Sequence, residues 1–139
     1  MKALLDTSVL VAAFLADHTD HAASLDVFLR FKKDQVCCAA HTLAELYSTV
    51  TRLPGKHRIS GENAMLFLAQ TRERLTLVTL TGAEYYSAIE QASASGVTGG
   101  AIYDALLAGC ALKAKAEILY TWNVRHFQRF ATLRRVETP

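Results

Sequence analysis

Near the start of the chain, the apolar run Ala3-Leu4-Leu5 ends abruptly in the carboxylate of Asp6. A brief, unbroken apolar run is typical of a strand that is buried on both faces, and such strands occur in parallel sheets covered by helices. In open α/β sheets, ligands bind in the crevice at the carboxyl ends of the strands. We therefore expect Asp6 at that edge, although an ordinary helix N-cap is the simpler interpretation of Asp6 taken alone.

Strand-like and helix-like segments alternate along the rest of the sequence. The strand-like segments are residues 3–5, 35–39, 75–79, 117–120 and 133–136. Apolar spacing and helix-start signals predict helices near residues 9–15, 20–33, 41–50, 60–74, 82–95, 101–112 and 124–130. This alternation predicts an α/β fold with a mostly parallel sheet of about five strands.

The bulk composition narrows the class of protein. The chain has 139 residues, of which 51% are apolar and 20% charged, so we expect one globular domain over residues 1–139. The net charge of +2 is too small to indicate nucleic-acid binding, which would need local clusters of Lys and Arg. The three cysteines lack C-x-x-C spacing and are expected to be buried thiols in a reducing compartment. Neither a signal peptide nor a membrane-spanning run is evident, so we expect a cytoplasmic protein.

Three acidic residues occupy positions where burial would be costly. Asp6 closes the first strand, Glu45 lies in the first turns of the third predicted helix, and Asp104 interrupts an otherwise apolar helix. Each has a simple structural explanation, because Thr42 and Glu45 fit a capping box and Asp104 complements a helix dipole. The explanation is weakest for Asp104, since a buried Asp is rarely unpaired and no basic residue lies close to it in the sequence.

If the strand ends and helix starts share one crevice, these three acids converge there. Carboxylates at close quarters cannot all stay ionised without a cation. Oxygen ligands alone favour a hard divalent ion, Mg²⁺ or Mn²⁺, over Zn²⁺. Such a site can polarise a phosphoryl group, generate a hydroxide nucleophile and stabilise a leaving oxygen.

Four segments carry these acids and several hydroxyl groups. They are Leu5-Asp6-Thr7-Ser8, Leu43-Ala44-Glu45-Leu46, Gly99-Gly100-Ala101-Ile102-Tyr103-Asp104-Ala105 and Tyr120-Thr121-Trp122-Asn123-Val124-Arg125-His126-Phe127. In this order and spacing they resemble the signature of PIN-domain proteins, particularly the VapC toxins of bacterial toxin–antitoxin pairs. The resemblance implies a three-layer α/β/α sandwich and endoribonuclease activity. It also implies that Asp6, Glu45 and Asp104 are ligands of Mg²⁺ or Mn²⁺, with Thr121 as a supporting hydroxyl.

The chain departs from the family pattern in its last motif. The family often carries a further acid at the position of Asn123 or of His126, and neither residue is acidic here. We expect Ser8 and Asn123 to complete the site through water or by orienting a carboxylate, which places Asn123 among the candidate catalytic residues. Three carboxylates in place of four predict a weakly held second metal ion.

Substrate and partners follow from the resemblance and from local charge. The resemblance implies a homodimer and a small cognate antitoxin whose tail covers the crevice. Cations that position RNA phosphates are expected at Arg52, Lys56, Arg58 and Arg125. Tyr47 and Tyr103 are open to two interpretations, stacking on an unpaired base or packing in the core. The alternative function is a PIN-like module that binds RNA or a protein without cutting RNA.

Overall fold

Every strand of the sheet runs parallel to its neighbours in the computed structural model, which describes all residues from Met1 to Pro139. The strands are β1 (Ala3–Leu5), β2 (Val36–Ala39), β3 (Thr76–Val78), β4 (Ile118–Tyr120) and β5 (Val136–Glu137). The helices are α1 (Thr7–Phe14), α2 (His21–Arg30), α3 (Ala40–Thr51), α4 (Gly61–Arg74), α5 (Gly82–Ala94), α6 (Ala101–Lys113) and α7 (Val124–Phe127), and a 3-10 turn covers Gly55–His57. The prediction of an α/β fold with a five-stranded, mostly parallel sheet is confirmed.

Strand β1 lies at the centre of the sheet, whose order is β3-β2-β1-β4-β5. Leu4 is in register with Cys37 of β2 on one side and with Leu119 of β4 on the other. The Asp6 N–H donates to the Tyr120 carbonyl over 3.0 Å and so continues the β1–β4 ladder past the end of the strand. This central position brings Asp6 to the carboxyl edge of the sheet, between β2 and β4.

The two faces of the sheet pack against different groups of helices. Ala3, Leu5 and Cys38 belong to a core that includes apolar residues of α1 to α4. Leu4 and Cys37 face the other way and pack with residues of α5, α6 and α7. Alternate strand residues point to opposite faces, and parallel strands need helical crossovers, so both faces are covered. The predicted three-layer α/β/α arrangement is confirmed.

The three cysteines are buried free thiols, as predicted. Burial raises the pKa of Cys37 and of Cys38 to about 12, and that of Cys110 to about 11. At neutral pH they are therefore protonated core side chains of low reactivity.

No helix of the protein is both long enough and apolar enough to span a membrane.

The bounds of α2, α7 and the last strand differ most from those predicted. Helix α2 ends at Arg30 and not at residue 33, because the backbone of Phe31 is extended and its ring turns back beside Tyr120, 6.4 Å between centroids. Helix α7 ends at Phe127 and not at residue 130, because the chain tightens into a turn in which the Phe130 N–H donates to the Phe127 carbonyl. The last strand covers Val136–Glu137 and not the predicted residues 133–136, because that is where the chain pairs with β4.

Candidate active site

The carboxylate of Asp6 is held by three hydrogen bonds. Its Oδ1 accepts from the Thr7 N–H over 2.7 Å. Its Oδ2 accepts from the Ser8 hydroxyl over 2.8 Å and from the Thr121 hydroxyl over 2.7 Å. Asp6 is thus the N-cap of α1, as the simpler interpretation predicted. The capping role and a role in the crevice are compatible, because the remaining lone pairs of the carboxylate stay available.

Two hydroxyl groups connect Asp6 to the loop between β4 and α7. The Ser8 oxygen accepts from the Trp122 N–H over 3.0 Å, and the Thr121 oxygen accepts from the Asn123 N–H over 2.9 Å. Each hydroxyl therefore receives one backbone proton and donates its own to Asp6. Ser8 and Thr121 orient the carboxylate in the structure, in the way that second-layer groups around metal ligands do.

Glu45 lies in the second turn of α3, with 47% of its side chain exposed. The capping box predicted for Thr42 and Glu45 is wrong. Strand β2 leads directly into α3, so the N-cap falls on Ala39, which has no capping side chain. Thr42 is fully buried and its hydroxyl has no hydrogen-bond partner. The position of Glu45 therefore has no explanation in helix capping.

Glu45 is partly buried and lies near two other negatively charged side chains. Burial first, then the charges of Asp6 and of Asp104, raise the pKa of Glu45 above its ordinary value. The Thr7 hydroxyl is near enough to oppose that rise, although the two groups do not meet the geometry of a hydrogen bond. His41 Nε2 is 3.5 Å from Glu45 Oε1, and burial lowers the pKa of His41. Asp6 and Asp104, which come from separate parts of the chain, both lie near enough to Glu45 to raise its pKa.

Asp104 lies in the first turn of α6 and has 30% of its side chain exposed. It makes no hydrogen bond; its nearest basic group is His126 Nδ1 in α7, 3.8 Å from its Oδ2. Burial raises the pKa of Asp104, His126 opposes the rise, and Asp6 adds to it. The sequence around Asp104 did not indicate this partner, because α7 approaches only through the tertiary fold.

An open cleft of about 610 Å³ adjoins two of these acids. It is lined by Glu45, Gly100, Ala101, Tyr103, Asp104, Arg125, His126 and Arg129. Of the cations predicted to hold RNA, only Arg125 lies in this lining. Arg129, which belongs to the cluster of cations near the C-terminus of the sequence, also lines the cleft. His41 was missed by sequence reasoning, although its spacing of four residues from Glu45 on one helix was a usable signal.

The other predicted residues lie elsewhere. Arg52, Lys56 and Arg58 are at the far end of α3, and Lys56 lines a separate, apolar cavity of about 420 Å³. Arg58 Nε donates to the Leu53 carbonyl over 3.1 Å. The Asn123 side chain is exposed, makes no hydrogen bond and does not line the acidic cleft. Its assignment as a catalytic residue, and the weakly held second metal, stay predictions.

The acids near the cleft provide the oxygen ligands that a hard cation prefers, but their side chains are not yet gathered around one point. No three Asp, Glu, His or Cys side chains converge closely enough to enclose an ion as they stand. However, Glu45 and Asp104 make no hydrogen bonds that would fix them, and the buried Thr7 hydroxyl and His41 Nε2 beside Glu45 lack hydrogen-bond partners. A divalent ion bound by the three carboxylates would relieve their repulsion. The residues present therefore fit Mg²⁺ or Mn²⁺.

Comparison with known proteins identifies the family. Residues 3–133 match the family model of the PIN domain. The chain belongs to the PIN-domain family. One relative of this PIN domain is Ribonuclease VapC40 of Mycobacterium tuberculosis, 36% identical over 129 residues that cover 93% of this chain and 92% of the relative. Ribonuclease VapC27 of the same organism is 32% identical over 114 residues, covering 82% and 80%.

Solved structures show the same fold at lower identity. The structure of Mycobacterium tuberculosis VapC20, described as a sarcin-ricin loop cleaving toxin, has a TM-score of 0.72 and 16% identity, and covers 90% of this chain and 92% of its own. The VapBC2 complex of Rickettsia felis, bound to a DNA fragment from its promoter, has a TM-score of 0.70 and 20% identity, with full coverage of both chains. The predicted resemblance to PIN-domain proteins of the VapC type is confirmed.

Proposed function

We propose that this PIN domain is an endoribonuclease that hydrolyses RNA phosphodiester bonds with Mg²⁺ or Mn²⁺, as the toxin of a toxin–antitoxin pair. One observation carries the proposal. Glu45 of α3 and Asp104 of α6 line one open cleft, and Asp6, which directly follows β1, helps to raise the pKa of both. The names of the two ribonuclease relatives support RNA as the substrate.

The three carboxylates would hold the metal ion, each in a different way. Asp6 offers a carboxylate already oriented by Ser8 and Thr121. Glu45 and Asp104 make no hydrogen bond that would hold their carboxylates away from the ion, and their nearest basic groups are at 3.5 and 3.8 Å. When bound, a divalent ion polarises the scissile phosphate and lowers the pKa of a water that attacks it.

The cations of the cleft act on the substrate. Arg125 and Arg129 line the cleft, and neither makes an ion pair within the protein. Their positive charges are therefore available to the phosphates of an incoming RNA. Unpaired guanidinium groups bind phosphate oxygens in a bidentate manner. They would therefore place the RNA backbone against the acids and offset part of the acids' repulsion of RNA.

The partners belong to the same proposal. Solved relatives include complexes of VapC-type chains with their VapB partners, from Rickettsia felis and from nontypeable Haemophilus influenzae. We infer a cognate antitoxin and a homodimer for this chain. Large apolar side chains are exposed on α2, α4, α5 and α6 and are available for such contacts. They include Leu29, Met65, Leu66, Tyr86, Ile89 and Leu112.

A cleavage assay tests the proposal. Purified protein is incubated with a mixed RNA pool in Mn²⁺, in Mg²⁺ or in EDTA, and new RNA ends are mapped. We expect discrete new ends with either metal, none in EDTA and none with Asp104→Asn. The absence of a fourth acid at Asn123 or His126 supports the alternative, a module that binds RNA without cutting it. RNA binding without any metal-dependent ends would establish that alternative.

A further inference from the structure

Trp122, in the loop between β4 and α7, joins the candidate active site to helix α2. Its indole Nε1–H donates to the Ser24 hydroxyl over 2.8 Å. Ser24 is fully buried in α2, and the ring of Trp122 packs against the core that α1 to α4 share. Neither residue lines the acidic cleft. The bond therefore links a helix that supplies none of the three carboxylates to the loop that carries Thr121 and Asn123.

The backbone of Trp122 contacts one of the donors of Asp6. Its N–H donates to the Ser8 hydroxyl oxygen over 3.0 Å, in the same way that the Asn123 N–H donates to the Thr121 oxygen over 2.9 Å. Because each hydroxyl oxygen accepts a backbone proton, its own proton is directed to Asp6 Oδ2. Trp122 thus contacts α2 through its ring and orients a donor of Asp6 through its backbone.

The loop at residues 121–123 belongs to no helix or strand, so it lacks the repeated backbone hydrogen bonds that hold those elements. Helix α2, in contrast, is fixed against α1, since His21 Nδ1 donates to the Ala12 carbonyl over 2.9 Å. Helix α1 itself begins directly after Asp6. Ser24 therefore offers the loop a fixed acceptor on the same pair of helices that carries Asp6.

We propose that Ser24 and Trp122 are positioning residues, which hold the loop so that Asp6 meets the metal ion in one orientation. The inference rests on the proposed function and adds α2 to the parts of the fold that support the site. Without its acceptor, the indole N–H would be left unpaired and the loop would hold the Ser8 hydroxyl less firmly. Loss of a group that directly orients a metal ligand costs roughly 10–100-fold in metal affinity or activity. Ser24 acts through two intermediate residues, so we expect a smaller effect of about fivefold.

Hydrogen exchange in EDTA tests the inference without metal or RNA. Trp122 is the only tryptophan of the chain, so its indole N–H gives a single signal in an NMR spectrum. We expect Ser24→Ala to speed exchange of the Trp122 and Asn123 amides about tenfold, because the loop opens more readily. Thr71→Val is the matched control, because Thr71 is equally buried but donates within α4 to the Phe67 carbonyl. It should leave both exchange rates at their wild-type values.

Metal binding and kinetics then separate a positioning role from a merely structural one. In Ser24→Ala the Kd for Mn²⁺, measured by electron paramagnetic resonance, should rise about fivefold and kcat should fall about fivefold. The KM for RNA should stay unchanged, because neither Ser24 nor Trp122 lines the cleft. A structural role alone would lower Tm and leave the Kd and kcat of the folded protein as they are.

A double variant distinguishes this hydrogen bond from general packing. Trp122→Phe keeps an aromatic ring but removes the donor, and its losses should equal or exceed those of Ser24→Ala. The double variant Ser24→Ala/Trp122→Phe should lose no more than Trp122→Phe alone, since both substitutions remove the same bond. It should also remain folded, because replacing both partners by apolar groups leaves neither buried polar group unpaired.

Three outcomes would overturn the inference. The first is unchanged exchange of the Trp122 and Asn123 amides in Ser24→Ala. The second is faster exchange with a wild-type Kd for Mn²⁺ and a wild-type kcat, which would show that Asp6 keeps its orientation without α2. The third is additive losses in the double variant. Failure of the proposed function looks different, since the wild type would then neither bind Mn²⁺ nor cut RNA, while exchange in EDTA would still distinguish Ser24→Ala from Thr71→Val.

Discussion

Asp6 and the pair formed by Glu45 and Asp104 carry the same functional group in contrasting surroundings. Asp6 accepts hydrogen bonds from one backbone N–H and two hydroxyls. Glu45 and Asp104 accept none, and burial and like charge raise the pKa of both. The first carboxylate stabilises the fold that surrounds it. The raised pKa values of the other two lead us to expect that their charged forms lower the stability of the metal-free protein.

The contrast indicates how the site is built. A carboxylate bound by three donors has a fixed position and directs an ion to one place at the sheet edge. Two carboxylates without donors remain adjustable and are stabilised only when a cation arrives. Residues that reduce stability without any structural compensation are expected at functional sites. The three acids should therefore agree in their effect on activity and disagree in their effect on stability.

The largest expected effect is on RNA cleavage. Asp6→Asn, Glu45→Gln and Asp104→Asn should each lower kcat/KM by about a thousandfold or more, because each removes charge that holds the ion, worth several kcal/mol in the transition state. Rates are measured with Mg²⁺ and the folded state is checked by circular dichroism. Wild-type rates in any two of these variants would show that the acids do not act as one metal site.

The three variants should differ in the direction in which they change the Tm of the metal-free protein. Asp6→Asn should lower Tm by several degrees, because hydrogen bonds to a charged group contribute roughly 1.5–3 kcal/mol and 1 kcal/mol corresponds to about 2–4 °C. Asp104→Asn and Glu45→Gln should raise Tm in EDTA and reduce the gain on adding Mn²⁺, since they remove repulsion that the ion would relieve. Calorimetry in EDTA and in Mn²⁺ measures both. A common sign for all three variants would contradict the comparison.

The hydroxyl of Thr121 should affect RNA cleavage through Asp6, to which it donates a hydrogen bond. Thr121→Val keeps the buried shape but removes one donor to Asp6 and leaves the Asn123 N–H without its acceptor. We expect kcat to fall about tenfold, the equivalent of roughly 1.4 kcal/mol, and Tm to fall slightly. Thr71→Val is the control, because Thr71 is equally buried but donates within α4 to the Phe67 carbonyl. Equal losses of activity in both variants would indicate a general packing defect.

The smallest expected effect is on the pH dependence of stability. Raised pKa values mean that the folded protein holds protons on Glu45 and Asp104 that the unfolded chain has already released. Metal-free stability should therefore fall as the pH rises above the ordinary values, 4.5 for Glu45 and 3.8 for Asp104, through the raised ones. Urea unfolding in EDTA at several pH values measures this slope. The double variant Glu45→Gln/Asp104→Asn should flatten it, and Glu73→Gln, an exposed control in α4, should not.

The sequence was sufficient for the fold because its signals are local and repeated. Buried parallel strands are continuous apolar runs, and Ser60 and Thr81, which are residue types that favour the N-cap, cap α4 and α5 in the structure. Boundaries were less predictable where tertiary contacts decide them. Phe31 leaves the helix pattern to pack near Tyr120, and β5 takes its register from β4. Neither partner is close in the sequence.

For the candidate site, the sequence determined the types of residue, and the fold determined which residues are neighbours. The positions of Asp6, Glu45 and Asp104 at strand ends and helix starts were readable from the chain, because parallel strands deliver such positions to one edge. Only the tertiary structure decided which acid is hydrogen-bonded and that His126 adjoins Asp104. It also decided that Tyr103 is exposed. Finally, it placed three of the predicted RNA-binding cations, Arg52, Lys56 and Arg58, away from the cleft. The reason is physical: hydrogen bonding, burial and charge proximity are properties of pairs of residues that the chain brings together only when it folds.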